Sequence, residues 1–496
     1  LDDLTTLKSL FVNQGGIVSN NTTISCLDFN SNTITARSID LDNSTINLSG
    51  TNWIINPTAI TWTSAGSIIN LNNPGAIAFQ GGSVIYNDVF SASSNLSISN
   101  NNSFALLSLA PATTLTLANS SNQIIDSLIA PGGDCTTSFI VQSSNPANPS
   151  ASITKSGFAV FNASHLAINN VDAIAPAIYN IALSDTTNGA EGWTYSGAAY
   201  YWVGGTGNWS DPAHWSFSSG GPTAVCVPTY PDSVIFDGLS FSGAGQEVLV
   251  DIDAYFNYMD WSASTNNPTL KLDTNIYSGG DIIFNANVFV TRTALEHRIE
   301  FTGQADFDPN AAVIDCNISV LMNDEMDGVV LFSTLDMTDS SSIYLLKGEL
   351  YFQTNIVNTG SIQVLEGPGP TYDNKLLDFG GSTLDLFSGF NSANVEVFSF
   401  NGGTSDLYIG TPTETNYLLT DGIDFHNVHL DFQELSTPQR LSGSNTYFKL
   451  KIEKGSHILI DSVHTVTDSL TMKGNCLDSI YLYASAAGAP SSINKT

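Results

Sequence analysis

Short apolar–polar–apolar triplets recur along this chain, each bounded by Gly, Ser, Asn or Thr. Ile46 and Leu48 return as Ile69 and Leu71, 23 residues on. Leu384, Leu407 and Leu430 keep the same spacing, as do Leu386, Ile409 and Phe432. Alternation with a period of two marks a strand with one face buried. A strand triplet that returns at a fixed interval, separated by turn-forming residues, predicts a parallel β-helix or β-solenoid. Its coils would stack about 4.8 Å apart, with inward side chains in continuous ladders and turn residues satisfying backbone groups. Helical periodicity is nearly absent, so the fold class is all-β. A string of β-sandwich domains is the alternative, because short strands with Gly-rich turns fit it too. The fixed return favours the solenoid, since sandwiches do not require it.

A longer period contains the shorter one. STINLSG at Ser44–Gly50 matches STLDLFSG at Ser382–Gly389, and AITWTSAGSIINL at Ala59–Leu71 overlays VFSFNGGTSDLYI at Val397–Ile409. SFALLSLAPATTLTL at Ser103–Leu117 overlays TYFKLKIEKGSHILI at Thr446–Ile460 without a gap. DSLIAPGGDC at Asp126–Cys135 answers DSLTMKGNC at Asp468–Cys476, and ITK at Ile153 answers INK at Ile493. The offset holds between 338 and 343 residues over all five blocks. Chance similarity would not keep that register. The sequence therefore reads as residues 1–197, the C-terminal part of one tandem unit, followed by residues 198–496, the N-terminal part of the next, with the boundary near Gly197.

Composition narrows the class further. Of 496 residues, 42% are hydrophobic and 12% charged, about half the usual charged fraction. Ile, Leu, Val and Phe recur throughout, which a disordered chain would not show. The net charge is −32; residues 1–197 hold 11 acidic and 3 basic residues, or −8, leaving −24 for the remainder. Such a surface repels phosphate backbones and argues against a nucleic-acid partner. No apolar run is long enough to span a bilayer. The chain starts in mid-pattern at Leu1, without an initiator Met or a signal peptide, and so reads as a piece of a longer polypeptide. Cys26, Cys135, Cys226, Cys316 and Cys476 form no CxxC pair and no zinc spacing. They read as buried thiols, with a Cys226–Cys316 bridge as the alternative.

The densest aromatic patch is YYWVGGTGNWSDPAHWS, Tyr200–Ser216, placed where one unit hands over to the next. An open solenoid end exposes core and unpaired strand edges and must be covered. Gly204, Gly205 and Gly207 allow tight turns, Asn208 and Asp211 suit Asx-type turns, and Pro212 stiffens the exit. Trp202, Trp209 and Trp215 would then form a compact capping plug. A sugar-stacking platform is the competing reading. A catalytic loop built on Asp211 and His214 lacks a linked nucleophile or second acid–base group.

WVGGTGNWSDPAHWS, followed by VPTYPDSVIFD (Val227–Asp237) and VDIDAYFNYMDWSASTNNPTL (Val250–Leu270), resembles the start of repeat units in very large Bacteroidota surface proteins. GELYFQTNIV (Gly348–Val357), SGSNTYFKLKI (Ser442–Ile452) and SDTTNGAEGW (Ser184–Trp193) extend the likeness over nearly the whole chain. Proteins of this group are cell-surface adhesins exported by the type IX system, including mobile adhesins that a surface motor carries along gliding cells. The resemblance implies a filamentous, extracellular, outer-membrane-associated protein for surface attachment or gliding motility. Its expected partners are the secretion or motility machinery and surface polysaccharide. Asp-Ser/Thr triplets at Ser127, Thr186, Ser233, Ser462, Ser469 and Ser479 resemble the O-glycosylation acceptors of such organisms.

No catalytic residue, cofactor-binding residue or metal ligand is assigned. Asp306, Asp308 and Asn310, and Asn323, Asp324, Glu325 and Asp327, are the densest oxygen clusters, but neither fits a calcium loop. They read as solvated turns, and DIDAYFNYMD (Asp251–Asp260) as a strand with its acids outward. Polysaccharide lyases also use solenoids, yet their chemistry needs Arg or Lys among carboxylates. Here 14 basic residues are spread over the chain, with none between Arg37 and Lys155. The expectation is a non-enzymatic stalk, with an array of carbohydrate-binding modules as the alternative and a polysaccharide-active enzyme as the third reading.

Overall fold

A computed structural model describes residues 7–496 apart from 20, 130–138, 146–149, 157–159, 165, 176, 183–184, 188–189, 225, 325, 368–373, 394, 411–414, 434–438 and 485–490. The chain divides into two compact units, 1–197 and 198–496. Each is a parallel β-solenoid. Among the described residues the one helical element is a 3-10 turn at Pro212–His214. Every described strand pairing is parallel except a two-residue contact of Tyr201 and Trp202 with Ser216 and Trp215. Two isolated antiparallel bridges complete the exceptions. Sandwiches are built from antiparallel hairpins and Greek keys, so this pairing excludes them.

The apolar triplets stack in register. Thr45–Leu48 lies on Ile68–Leu71 with Ile46 facing Ile69 and Leu48 facing Leu71. All four side chains are buried, and the polar residues between them point outward. In the second unit Leu384 faces Leu407 and Leu386 faces Ile409, as the 23-residue spacing predicts. The next coil departs from it. Leu407 faces Val428 and Ile409 faces Leu430, a step of 21 residues, and Phe432 falls beyond the end of strand Asp424–Leu430. A strand alternates faces with a period of two, so losing two residues keeps the same side chains inward, whereas losing one would turn them out.

Turn chemistry explains the Ser and Asn content. A residue in the left-handed region (Asn43, Gly66, Ser120) is followed by an inward Ser44, Ser67 or Ser121. The backbone N–H of each of these serines bonds the carbonyl three residues back. On the outside, side chains bond from coil to coil. Asn70 Nδ2 donates to Asn47 Oδ1 at 2.9 Å, and Asn427 Nδ2 to Asp406 Oδ1 at 2.7 Å.

Each unit also carries a third ladder that stops. In the first unit it comprises Gly15–Val18, Arg37–Asp40 and Ile60–Thr63, and no further strand joins it. In the second unit the comparable ladder ends Lys375–Asp378, Ser399–Asn401. Arg37 is buried, its guanidinium donating to the carbonyls of Ser31, Asn56 and Thr58 at 2.6–2.9 Å. Lys375, its counterpart in the matched blocks, is buried with Nζ 2.9 Å from Glu366 Oε2. The aromatic triangle Trp53–Trp62–Tyr86 has its parallel in Phe390–Phe400–Phe425. The Trp62–Tyr86 and Phe400–Phe425 ring centroids are both 5.2 Å apart.

The cysteines differ from expectation at two places. Cys26 and Cys316 are buried thiols, and burial pushes them up to about 11 and about 12, Asp28 adding to the shift at Cys26. Cys226 is disulfide-bonded, whereas Cys316 is free, so the Cys226–Cys316 bridge is not formed. Cys476 is exposed, because it lies in a turn outside the stack, where Asn475 Oδ1 accepts from Leu477 N and Asp478 N. Cys135 lies outside the described residues.

Candidate functional site

The tryptophan segment is interior. Trp202, Trp209 and Trp215 are each 0% exposed, which removes them as a sugar-stacking platform. Trp215 is the hub, with Trp202 at 5.0 Å and Trp209 at 4.8 Å, both edge-on. Phe236 joins them and stacks on Trp261 at 3.7 Å, so the cluster runs into the next coils. Trp202 Nε1 donates to Gly205 O at 2.7 Å and Trp215 Nε1 to Trp209 O at 2.9 Å. The Trp209 Nε1 is buried without a partner. Gly204 and Gly205 take positive φ of 85° and 79°, which folds the loop tightly enough to bury three indoles.

Asp211 and His214 serve that loop. Asp211 caps the 3-10 turn, its Oδ1 accepting from Ala213 N at 2.9 Å. The His214 ring stacks on Trp202 at 4.9 Å, and its Nδ1 lies 2.9 Å from Val203 O. Both groups are engaged in holding the turn.

The carboxylates do similar work. Asp28 Oδ1 accepts from Thr51 N and Asn52 N, Asp42 Oδ1 from Ala65 N, Asp251 Oδ1 from Ser210 N, and Asp421 Oδ1 from Ser444 N. An acid at one turn thus takes a backbone N–H of another coil. The oxygen-rich clusters follow this rule. Asp306 N donates to Asp281 Oδ1 at 2.8 Å, and burial with the neighbouring Asp281 raises the Asp306 carboxyl above its usual range. Asp308 accepts from the Ser333 hydroxyl, and Asp324 Oδ1 from Met326 N. Asn323 gives its carbonyl to Lys347 Nζ, and Asp327 N donates to Asp324 O. Glu325 lies outside the described residues. Among the described residues, no group of three or more His, Cys, Asp or Glu could hold a metal ion. Of the Asp-Ser/Thr triplets, Ser127 is exposed and Ser233, Ser462, Ser469 and Ser479 are half-buried.

A recess that the motif reading did not single out lies in the first unit, where the third ladder ends. Strand Ile60–Thr63 pairs with Arg37–Asp40 on one side. On the other side it meets only Ile85, whose carbonyl accepts from Trp62 Nε1 at 2.7 Å and from Ser64 Oγ at 2.6 Å. The coil that follows carries strand Ile85–Ser91 straight from this side onto the neighbouring face, where Asp88–Ser91 lie on Ile68–Leu71. The four-residue turn that separates Ile60–Thr63 from Ile68–Leu71 has no equivalent there. The step leaves a cavity of about 470 Å³, with half-buried Trp62, Tyr86 and Phe104 in its walls. Asp42, Asn87 and Asp126 contribute polar groups. Ile85, 69% exposed, stands beside it.

The same place in the second unit is built differently. His426 follows Phe425 as Asn87 follows Tyr86, and Phe448 stands where Ala105 stands in the matched block. The His426 and Phe448 rings stack at 4.9 Å. The recess therefore depends on Asn87 and Ala105 being small. That contrast between the copies was the signal in the sequence that could have located it.

No family model matches the sequence, and neither a curated protein nor a solved structure matches it. Among the described residues, no helix is long and apolar enough to cross a membrane.

Proposed function

We propose that this chain is a structural and adhesive segment of a long extracellular surface adhesin, serving attachment and, in a motile host, gliding. The observation that carries the reading is the pair of units with matching ladders, turns and aromatic triangles. A stack whose coils add in register lengthens by repetition, which suits a stalk that holds contacts away from a surface. The acidic, turn-capping surface suits a role outside the cell, and the surface resemblance of the repeat motifs points the same way. Export machinery and surface polysaccharide are the partners this reading names.

Two measurements test it. Negative-stain electron microscopy of the full-length protein should show thin filaments; compact globules would count against the stalk. Beads coated with the 496-residue chain should be retained on polysaccharide-coated glass under flow more strongly than albumin-coated beads. Equal retention would remove the adhesive half of the proposal.

A further inference from the structure

We infer that the Trp62 recess is a binding site for a neutral saccharide. The inference deepens the adhesive reading, and rests on it, by giving that reading a ligand class and a place. The recess has the size of a small-ligand site, since such pockets enclose about 300–1,000 Å³, and this one measures about 470 Å³. It exists because a ladder ends, so the indole of Trp62 is left with no further strand to cover it. The Trp62 and Tyr86 rings meet edge-on at 5.2 Å, giving an apolar corner rather than a flat patch.

The polar groups fix the chemistry of the occupant. Asp42 and Asp126 carry carboxylates on the lining, and each has more acceptor sites than its bond to Ala65 N or Ser156 N consumes. Asn87 and Ser103 add groups that both donate and accept. Acceptors beside mixed donor–acceptors, against an aromatic corner, suit a ring that has an apolar face and a rim of hydroxyls. The charge excludes the acidic members of that class. No basic residue occurs between Arg37 and Lys155, and the Lys155 ammonium is bonded to the Asp126 carbonyl. A uronate, sulfate or phosphate would meet carboxylates without a cation to answer it. A guanidinium from a basic peptide satisfies the carboxylates but offers no acceptor to Asn87 or Ser103, so the saccharide is the better match.

Isothermal titration of the full chain with maltotetraose, cellotetraose and mannotetraose tests the inference, with a heparin tetrasaccharide and a tetra-arginine peptide as the other arms. At least one neutral tetrasaccharide should bind with millimolar or better affinity, and neither charged probe should compete. Ala105→Phe imports the wall that the second unit already carries at Phe448, and should weaken binding about tenfold or more while leaving the thermal transition in place. Trp62→Ala should do the same by removing the indole. Absence of binding by all three neutral probes, binding unchanged in Ala105→Phe, or displacement by either charged probe overturns the inference. Filaments in the micrographs with no saccharide bound would remove this site and keep the stalk; globules that still bind would remove the stalk and keep the site.

Discussion

Trp209→Phe and Trp215→Phe change the same atoms by the same amount in one buried cluster, so packing losses cancel to first order between them. Their hydrogen bonds do not cancel. Trp215 Nε1 donates to the Trp209 carbonyl at 2.9 Å, and both groups are buried. Removing that donor leaves a buried acceptor unanswered, a cost of about 1–3 kcal/mol. Trp209 Nε1 is already buried without a partner, so Trp209→Phe deletes an unsatisfied donor and recovers a penalty of the same order. Trp215→Phe should therefore destabilise the segment by about 2 kcal/mol more than Trp209→Phe, or roughly 30-fold in the local opening constant. Hydrogen exchange read by mass spectrometry suits this comparison, because it reports local opening and does not rely on tryptophan fluorescence. The amides to follow are Val203, bonded to His214 O at 2.8 Å, and Trp209, bonded to Leu249 O at 2.7 Å. Equal protection in the two variants, or poorer protection in Trp209→Phe, would refute the reasoning.

Acid should weaken the second unit through its buried imidazoles. Burial holds His464 below its ordinary value, and burial with nearby Lys451 does the same for His429, against the opposing pull of Asp406 and Glu453. The unfolded chain takes up these protons near pH 6.5 while the folded one resists. Stability present above that value is therefore lost as pH falls below 6.5 toward the folded pKa values. The urea midpoint of the second unit should drop between pH 7 and pH 5.5, and the drop should shrink in a His429→Gln, His464→Gln double variant; an unchanged drop contradicts the assignment. Two glycines should separate strain from collision. Gly422, at φ 68°, has nothing within 4 Å of a Cβ position, and Gly422→Ala should cost about 1 kcal/mol. Gly443, at φ 80°, would drive a Cβ into the Thr420 carbonyl, and Gly443→Ala should cost about 3 kcal/mol or more by the same denaturation assay.

The ladders were legible because burial writes itself into a strand as alternation. Ile46, Leu48, Ile69 and Leu71 could be paired across coils before any coordinates. The pairing failed at Leu430 and Phe432, since a change of two residues leaves the alternation intact and so leaves no mark on it. The tryptophan plug was readable from glycines and indoles together, which only a folded-in loop requires. The end of the third ladder was not readable: a missing strand pair leaves no residue behind to announce it. The role of the acids was also hidden, because a carboxylate that caps a distant turn has the same neighbours in sequence as one that faces solvent. Cys226 was misread for a related reason, since spacing alone carries no distance between thiols.

The 21-residue step after Ile409 has a consequence for how such chains change over time. Each coil hands the next only a parity, the choice of which alternate residues look inward. Losses and gains in a strand can therefore accumulate in even numbers without disturbing the interior, while single deletions there are purged as inversions. Two descendants of one ancestral repeat can then differ in length and side-chain identity at most positions, and still be wound on the same spool.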